Sequence, residues 1–176
     1  SYEQIDNGIL RINEDFNALN DDLSNVIDQF TDIIGNPNFE FRLATKDPDG
    51  NCTYGVTRTS SHLTESNSVS KLQDLISWDD MKYINIWVVR NFWYANNMAA
   101  FAHKPGTGLN MDGIFCLYSY FGDWNTNSDN GPTGSNWTRH NLSHVMGHFF
   151  NLNHPWGDVT FPVALECFNG LYNNWF

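Results

Sequence analysis

The feature that most constrains this chain is a run of three histidines within eleven positions, His144, His148 and His154. A helix turns by about 100° per residue, so His144 and His148 lie one above the other on the same face. A continued helix would place His154 about 240° further round, facing away from the first two. Asn151 tolerates the left-handed conformation that ends helices, and Pro155 prevents the helix from resuming. The spacing therefore predicts a helix, a reversal of the chain and three imidazoles that face one point.

Three imidazoles arranged in this way can share one tetrahedral metal ion, and zinc is typical of such histidine sites. The predicted helix also carries an apolar face that would bury it against a sheet and hold the ligands rigidly: Leu142, Val145, Met146 and Phe149. One alternative is that the histidines are ordinary helix and loop residues without metal. His140 shares the helical face of His144, but a helix cap or exposure to solvent is favoured for it over ligation.

Composition limits the number of domains and the classes of partner. A hydrophobic content of 41% with 15% aromatic residues is enough for one core, so residues 1–176 are expected to form a single domain. Nine Lys and Arg against twenty Asp and Glu give a net charge of −11. This field repels phosphate backbones and anionic lipid headgroups, so neither nucleic acid nor a membrane is an expected partner.

Hydrophobic periodicity predicts alternating helices and strands along the rest of the chain. An amphipathic helix lying on a sheet is predicted from its apolar residues Ile5, Ile9, Ile12, Phe16 and Leu19. The predicted helices run from Glu3 to Phe30, from Val69 to Ile76 and from about Trp137. The predicted strands are Phe39 to Ala44, Tyr83 to Val89, Ala99 to His103 and Gly113 to Tyr118. An exposed loop is predicted from Gly122 to Ser135.

Two minor features leave alternatives open. Cys52, Cys116 and Cys167 are too widely spaced for a thiolate zinc site, and they could form one disulfide with one free thiol or remain three thiols. The turn from Asp47 to Asn51 is similar to part of a calcium loop. A plain turn is favoured there, because no distal Glu is in register.

The segment from Leu142 to Gly157 resembles the zinc segment of the pappalysin family of metzincin peptidases, in its cytophagalysin-like branch. The resemblance covers roughly residues 10 to 157. Beyond the histidines it includes Phe41 to Thr53, Asp74 to Asp79, Tyr83 to Val88, Asp112 to Ile114 and Tyr120 to Gly122.

The resemblance implies a metzincin-like zincin domain of the α/β (α+β) class, with a mixed twisted sheet, a long backing helix and a zinc-site helix. It implies Zn²⁺ held by His144, His148 and His154. An extended peptide or protein substrate would pair with the sheet's edge strand, near Gly113 to Tyr118. The domain would be a secreted or extracellular zinc metalloendopeptidase occupying residues 1–176 and trimmed at both ends; its oligomeric state is left open.

One position departs from the family pattern. Family members carry Glu directly after the first ligand, where it takes a proton from the zinc-bound water and passes it to the leaving amine. Val145 stands there in this chain. Losing such a group reduces the rate by about 10²- to 10⁴-fold. Two functions therefore stay open: a weakened zinc metalloendopeptidase, and a catalytically inactive zinc-binding pseudopeptidase that binds peptides or proteins.

The family's methionine turn also has no counterpart here. In the family, this turn follows the third histidine and places a methionine beneath the metal site. Met146 is the last methionine of this chain and comes before His154.

Overall fold

The structure is a computed structural model and describes residues 1–65, 69–92, 98–103, 112–122 and 137–154. Its helices are α1 (Tyr2–Phe16), α2 (Asp28–Thr31), α3 (Val69–Leu75) and α4 (Trp137–Phe149). Its strands are β1 (Ile86–Val89), β2 (Ala100–His103) and β3 (Gly113–Leu117). Short 3₁₀ turns occupy Asp21–Asn25, His62–Glu65 and Tyr118–Tyr120. None of the helices in these ranges is long and apolar enough to cross a bilayer. Apart from Gly122, the predicted loop of 122–135 lies outside the described residues.

The three strands form a mixed sheet in the order β1-β3-β2. β3 runs parallel to β1, with Ile114 opposite Ile86, and antiparallel to β2, with Ile114 also opposite Ala102. The expectation that Gly113 to Tyr118 lies near the sheet's edge is therefore wrong. β3 is the middle strand, and four of its five residues are buried, as suits a strand covered on both faces.

Alternate residues of β3 divide the core between the two faces of the sheet. Ile114 and Cys116 belong to an apolar cluster that joins α1 and α4 to the sheet. Phe115 points to the other face, where it stacks on Trp87 with ring centroids 4.6 Å apart. The helix with the histidines is therefore fixed to one face of the sheet, together with the backing helix α1.

α1 is shorter than the predicted helix from Glu3 to Phe30. Its N-cap is Ser1, whose side chain accepts a hydrogen bond from the backbone N–H of Gln4, and its C-cap is Asn17. Ala18 then adopts a left-handed φ of 52°, and Leu19 is 72% exposed rather than on the buried face. The residues that follow are rich in Asn and Asp, which compete with the helix for backbone hydrogen bonds.

The predicted strand from Phe39 to Ala44 is absent, because side chains of α1 take the place of a neighbouring strand. The amide of Asn13 donates to the carbonyl of Phe41 and accepts from its N–H, both at 2.8 Å. Asn17 donates to the carbonyl of Phe39 at 2.8 Å. The apolar positions still pack as the alternation predicts, since both phenylalanines contact the ring of Phe16.

The two open questions from the sequence are partly answered. Cys52 is exposed, Cys116 is buried, and neither forms a disulfide, while Cys167 lies outside the described residues. Burial raises the pKa of the Cys116 thiol to about 12, which makes it unreactive at neutral pH. The Asp47 carboxylate accepts hydrogen bonds from the backbone N–H groups of Asp49 and Asn51, which is the pattern of a plain turn. Calcium binding there stays untested.

Candidate metal centre

α4 packs its apolar side against the sheet. Leu142, Val145 and Met146 are each buried to 2% exposure in the cluster with Ile114. His144 and His148 are only partly buried. The packed side anchors the helix, so the two imidazoles project from a rigid element.

The helix ends in a way that returns the chain toward these imidazoles. Asn151 has a left-handed φ of 68°, its N–H donates to the carbonyl of His148, and the N–H of Leu152 donates to the carbonyl of Gly147. These two bonds define a Schellman motif, in which one left-handed residue reverses the chain direction. Asn151 therefore has the role that the sequence predicts, and the reversal brings His154 back to the other two histidines.

Substitution of Asn151 tests this reversal. We expect Asn151→Ala to lower the free energy of unfolding by about 1 kcal/mol, because alanine has a Cβ that strains the left-handed conformation. Asn151→Gly should be within about 0.5 kcal/mol of the wild type, because glycine adopts that conformation freely. Urea unfolding of the metal-free protein measures both. Equal stability of the Ala and Gly variants would contradict the structural role.

The three imidazoles converge through the same ring atom. The Nε2 atoms of His144 and His148 are 3.1 Å apart, those of His144 and His154 are 3.3 Å apart, and those of His148 and His154 are 3.0 Å apart. The Nδ1 of His148 lies 2.8 Å from the carbonyl of Leu152. A carbonyl only accepts, so this Nδ1 carries a proton, and in the neutral ring the lone pair is on Nε2, the atom that faces the other two rings.

These distances fit a zinc ion. Zinc binds imidazole nitrogen at about 2.0–2.1 Å, so two ligands of a tetrahedral site are separated by about 3.3 Å. Burial, followed by repulsion from His148 and His154, lowers the pKa of His144 to about 4. His144 is therefore neutral at pH 7 and has a lone pair to offer. Among the described residues, this is the only group of three or more His, Cys, Asp or Glu with metal-binding spacing. Their assignment as zinc ligands stays a prediction.

An apolar cavity of about 510 Å³ opens beside the histidines. Its lining combines His144, His148 and His154 with the chain that follows α1. Of the described residues in this lining, only Asp15 is acidic, and its carboxylate already contacts His140 and Ser143. No carboxylate in the described lining is therefore free to act as a base beside the imidazoles. Asp158 lies outside the described residues.

The expectation that His140 caps a helix or faces solvent is wrong. Its side chain is 11% exposed, with Nδ1 3.0 Å from Asp15 and Nε2 3.0 Å from Asp22. A signal for this was present in the sequence, because Asp15 lies on the apolar face of α1, three residues after Ile12 and next to Phe16. An acid on a buried helix face needs a partner.

Comparison with known proteins identifies the family. The family model described as pregnancy-associated plasma protein-A, a peptidase family, matches residues 66–170, which is more than half of the chain. The chain belongs to the pappalysin family of metallopeptidases. The family prediction and the metzincin-like α/β fold class are both confirmed. No curated protein shows a significant match to the chain.

Solved structures of mirolysin from Tannerella forsythia are similar over most of the chain. Mature mirolysin in complex with a cleaved peptide is 34% identical with a TM-score of 0.76, and the match covers 90% of this chain and 59% of that one. Mirolysin in complex with a compound gives the same identity and coverage with a TM-score of 0.75. A promirolysin mutant is also 34% identical, with a TM-score of 0.76 and 52% of its chain covered. This pappalysin-family chain therefore spans between a half and three fifths of these relatives.

Proposed function

We propose that this chain binds one zinc ion through His144, His148 and His154 and is a metalloendopeptidase of low turnover. The observation that carries the proposal is the convergence of three Nε2 atoms within 3.3 Å of one another. Membership of a metallopeptidase family supports the choice of reaction. Lone pairs on three neighbouring nitrogen atoms repel one another. A bound cation would relieve this repulsion and so stabilise the fold that brings the atoms together.

The residues of the chain would orient the metal and the peptide. When bound, zinc would polarise the scissile carbonyl and lower the pKa of a bound water to about 7. The bond from His148 to the Leu152 carbonyl fixes that ring's tautomer and orientation.

We propose that the peptide binds along strand β2 and not near Gly113, because β2 lies at an edge of the described sheet. An extended peptide could add to such an edge through its backbone. The cleaved peptide bound to mirolysin supports this ligand class.

Proton transfer is the weak step. Val145 cannot take a proton from water or pass one to the leaving amine, and Asp15 is held by two other side chains. We therefore expect turnover about 10²- to 10⁴-fold below that of an enzyme with Glu at position 145.

A second function is favoured by the packing of Val145. Its side chain is buried in the core with Ile12 and Met146, as an ordinary hydrophobic residue would be. A zinc-binding pseudopeptidase that captures peptides without cleaving them is compatible with this packing. It would keep the same metal ligands and the same sheet edge.

Metal analysis combined with a cleavage assay tests both functions. We expect about one zinc per chain and a fall in Tm of about 10 °C on chelation, since a ligand present at 1,000 times its Kd stabilises the fold by about 4 kcal/mol. Slow cleavage of a peptide library that chelator abolishes would support the metalloendopeptidase. Zinc and peptide binding without cleavage would support the pseudopeptidase. A chain that binds no zinc would contradict both.

A further inference from the structure

The flank of α4 that faces α1 carries a buried cluster of polar side chains. Asp15 of α1, whose side chain is 1% exposed, accepts a hydrogen bond from the hydroxyl of Ser143. Both of its carboxylate oxygens lie 3.0 Å from Nδ1 of His140. On the other side of that ring, Nε2 lies 3.0 Å from Asp22, which also accepts from Asn20 at 2.7 Å. One imidazole is thus held between two carboxylates.

Two carboxylates beside one ring favour the charged form of His140. A neutral imidazole has one N–H and no charge, whereas the imidazolium has two N–H groups and a positive charge that both carboxylates attract. Burial of the ring lowers its pKa, but the hydrogen bond to Asp15 and the charges of Asp15 and Asp22 outweigh burial, and the net shift is upward from the ordinary 6.5.

The other charged groups around the ring are already paired. Arg139, next to His140 on α4, slightly opposes the upward shift of the His140 pKa. Arg139 lies 2.8 Å from Asp21 and 3.6 Å from Glu14, and Glu14 also pairs with Arg11 at 2.6 Å. These pairs link α1, the 3₁₀ turn and α4. Of the residue types in this cluster, only histidine ordinarily changes its charge near neutral pH.

We propose that Asp15 is a positioning residue, which fixes the metal-binding helix through Ser143 and His140, and that this fixation weakens when His140 loses its charge. Ser143 directly precedes His144, so a shift of α4 at this point moves an imidazole of the metal centre. The effect on metal binding rests on the proposed zinc function. The effect on the fold does not.

The sign of the pH dependence follows from the direction of the shift. The pKa of His140 is higher in the folded protein than in the unfolded chain. Its contribution to stability is therefore fully present below about pH 6.5, and it is lost as pH rises through the folded pKa. The charged ring stabilises the fold most in mildly acidic solution.

The test compares thermal unfolding of the metal-free protein between pH 5.5 and 9 for the wild type, His140→Gln and His140→Arg. The Gln variant should unfold about 5 °C below the wild type at the acid end, and the difference should shrink at high pH. Arg keeps a charge at every pH and can bridge two carboxylates, so its Tm should vary less with pH than that of the wild type. His62→Gln, at an exposed histidine, is the matched control and should follow the wild-type profile.

Parallel wild-type and His140→Gln profiles across this range would overturn the proposal, because a role in packing alone does not depend on pH. NMR titration of the histidine rings in the wild type, which needs no folded variant, gives a second measurement. One ring should have a pKa above 6.5, and that pKa should fall in Asp22→Asn. The absence of such a ring would also overturn the proposal.

Zinc titration at pH 7 should show about 10-fold weaker binding for His140→Gln. A wild type that binds no zinc but keeps the pH profile would refute the proposed function and leave this inference standing.

Discussion

Replacing Val145 by Glu should raise peptide hydrolysis by about 10²- to 10⁴-fold in protein that retains zinc. Position 145 is about 100° around the helix from His144 and about 60° from His148, so a longer side chain at this position can reach toward the metal centre. A carboxylate there could accept a proton from a metal-bound water and return it to the leaving amine. Initial rates on a quenched fluorescent peptide, with and without chelator, measure the gain.

The substitution also has a cost in stability. Val145 is 2% exposed in the cluster with Ile12 and Met146. A Glu side chain directed toward the histidines would no longer fill the space that Val145 occupies in that cluster. The lost burial should lower the free energy of unfolding by about 1–3 kcal/mol. Thermal unfolding therefore has to establish, at the assay temperature, the fraction of each variant that is folded.

Val145→Gln is the matched control, since Gln has the shape of Glu and disturbs the core equally but cannot act as a base. A rate gain in the Glu variant alone assigns proton transfer to this position. Equal rates for the wild type and both variants would show that another group carries the proton. No cleavage by any of the three, with zinc bound, would favour the pseudopeptidase.

The convergence of the three histidines was predictable from the sequence because its geometry is local. His144 and His148 are related by helical repeat, and Asn151 provides the left-handed residue that ends the helix. No contact with a distant part of the chain is needed to bring His154 close to them. The family resemblance added the fold class, which the comparisons confirm.

The errors concern contacts between segments that are distant in sequence. The segment from Phe39 to Ala44 alternates like a strand, but Asn13 and Asn17 of α1 satisfy its backbone, and periodicity alone contains no such information. Periodicity also contains no information about the order of the strands in the sheet. The apolar run of β3 is compatible with any buried strand, and only its pairing with β1 and β2 makes it central.

The polar cluster between α4 and α1 was also only partly predictable from the sequence. An acid on the apolar face of α1 signals a buried partner, yet nothing near Asp15 in the sequence says that the partner is His140, 125 residues away. The helix spacing also placed His140 on the face of His144. In the structure its ring contacts the carboxylates of Asp15 and Asp22, which periodicity cannot predict.

Replacing His154 by Ala should weaken zinc binding by about 10²- to 10³-fold, because an apparent binding free energy of about 10–16 kcal/mol shared among about four ligands assigns roughly 2.5–4 kcal/mol to each. His154 follows the Schellman motif, whose bonds involve the backbone of Gly147, His148, Asn151 and Leu152. The fold should therefore survive the substitution. In chelator the variant should unfold within about 1 °C of the wild type, since its contribution to the metal-free core is small.

His148→Ala provides the comparison that separates metal binding from local structure. It removes a nitrogen of the metal centre together with the hydrogen bond to the Leu152 carbonyl, so it should lose zinc affinity and also some metal-free stability. His62→Ala, at an exposed histidine outside the metal centre, should change neither quantity. Calorimetric titration with zinc and thermal unfolding in chelator give the two readouts for each variant. Full zinc affinity in His154→Ala would mean that the third imidazole approaches the other two without binding the ion, and the proposed reaction would lose its metal geometry.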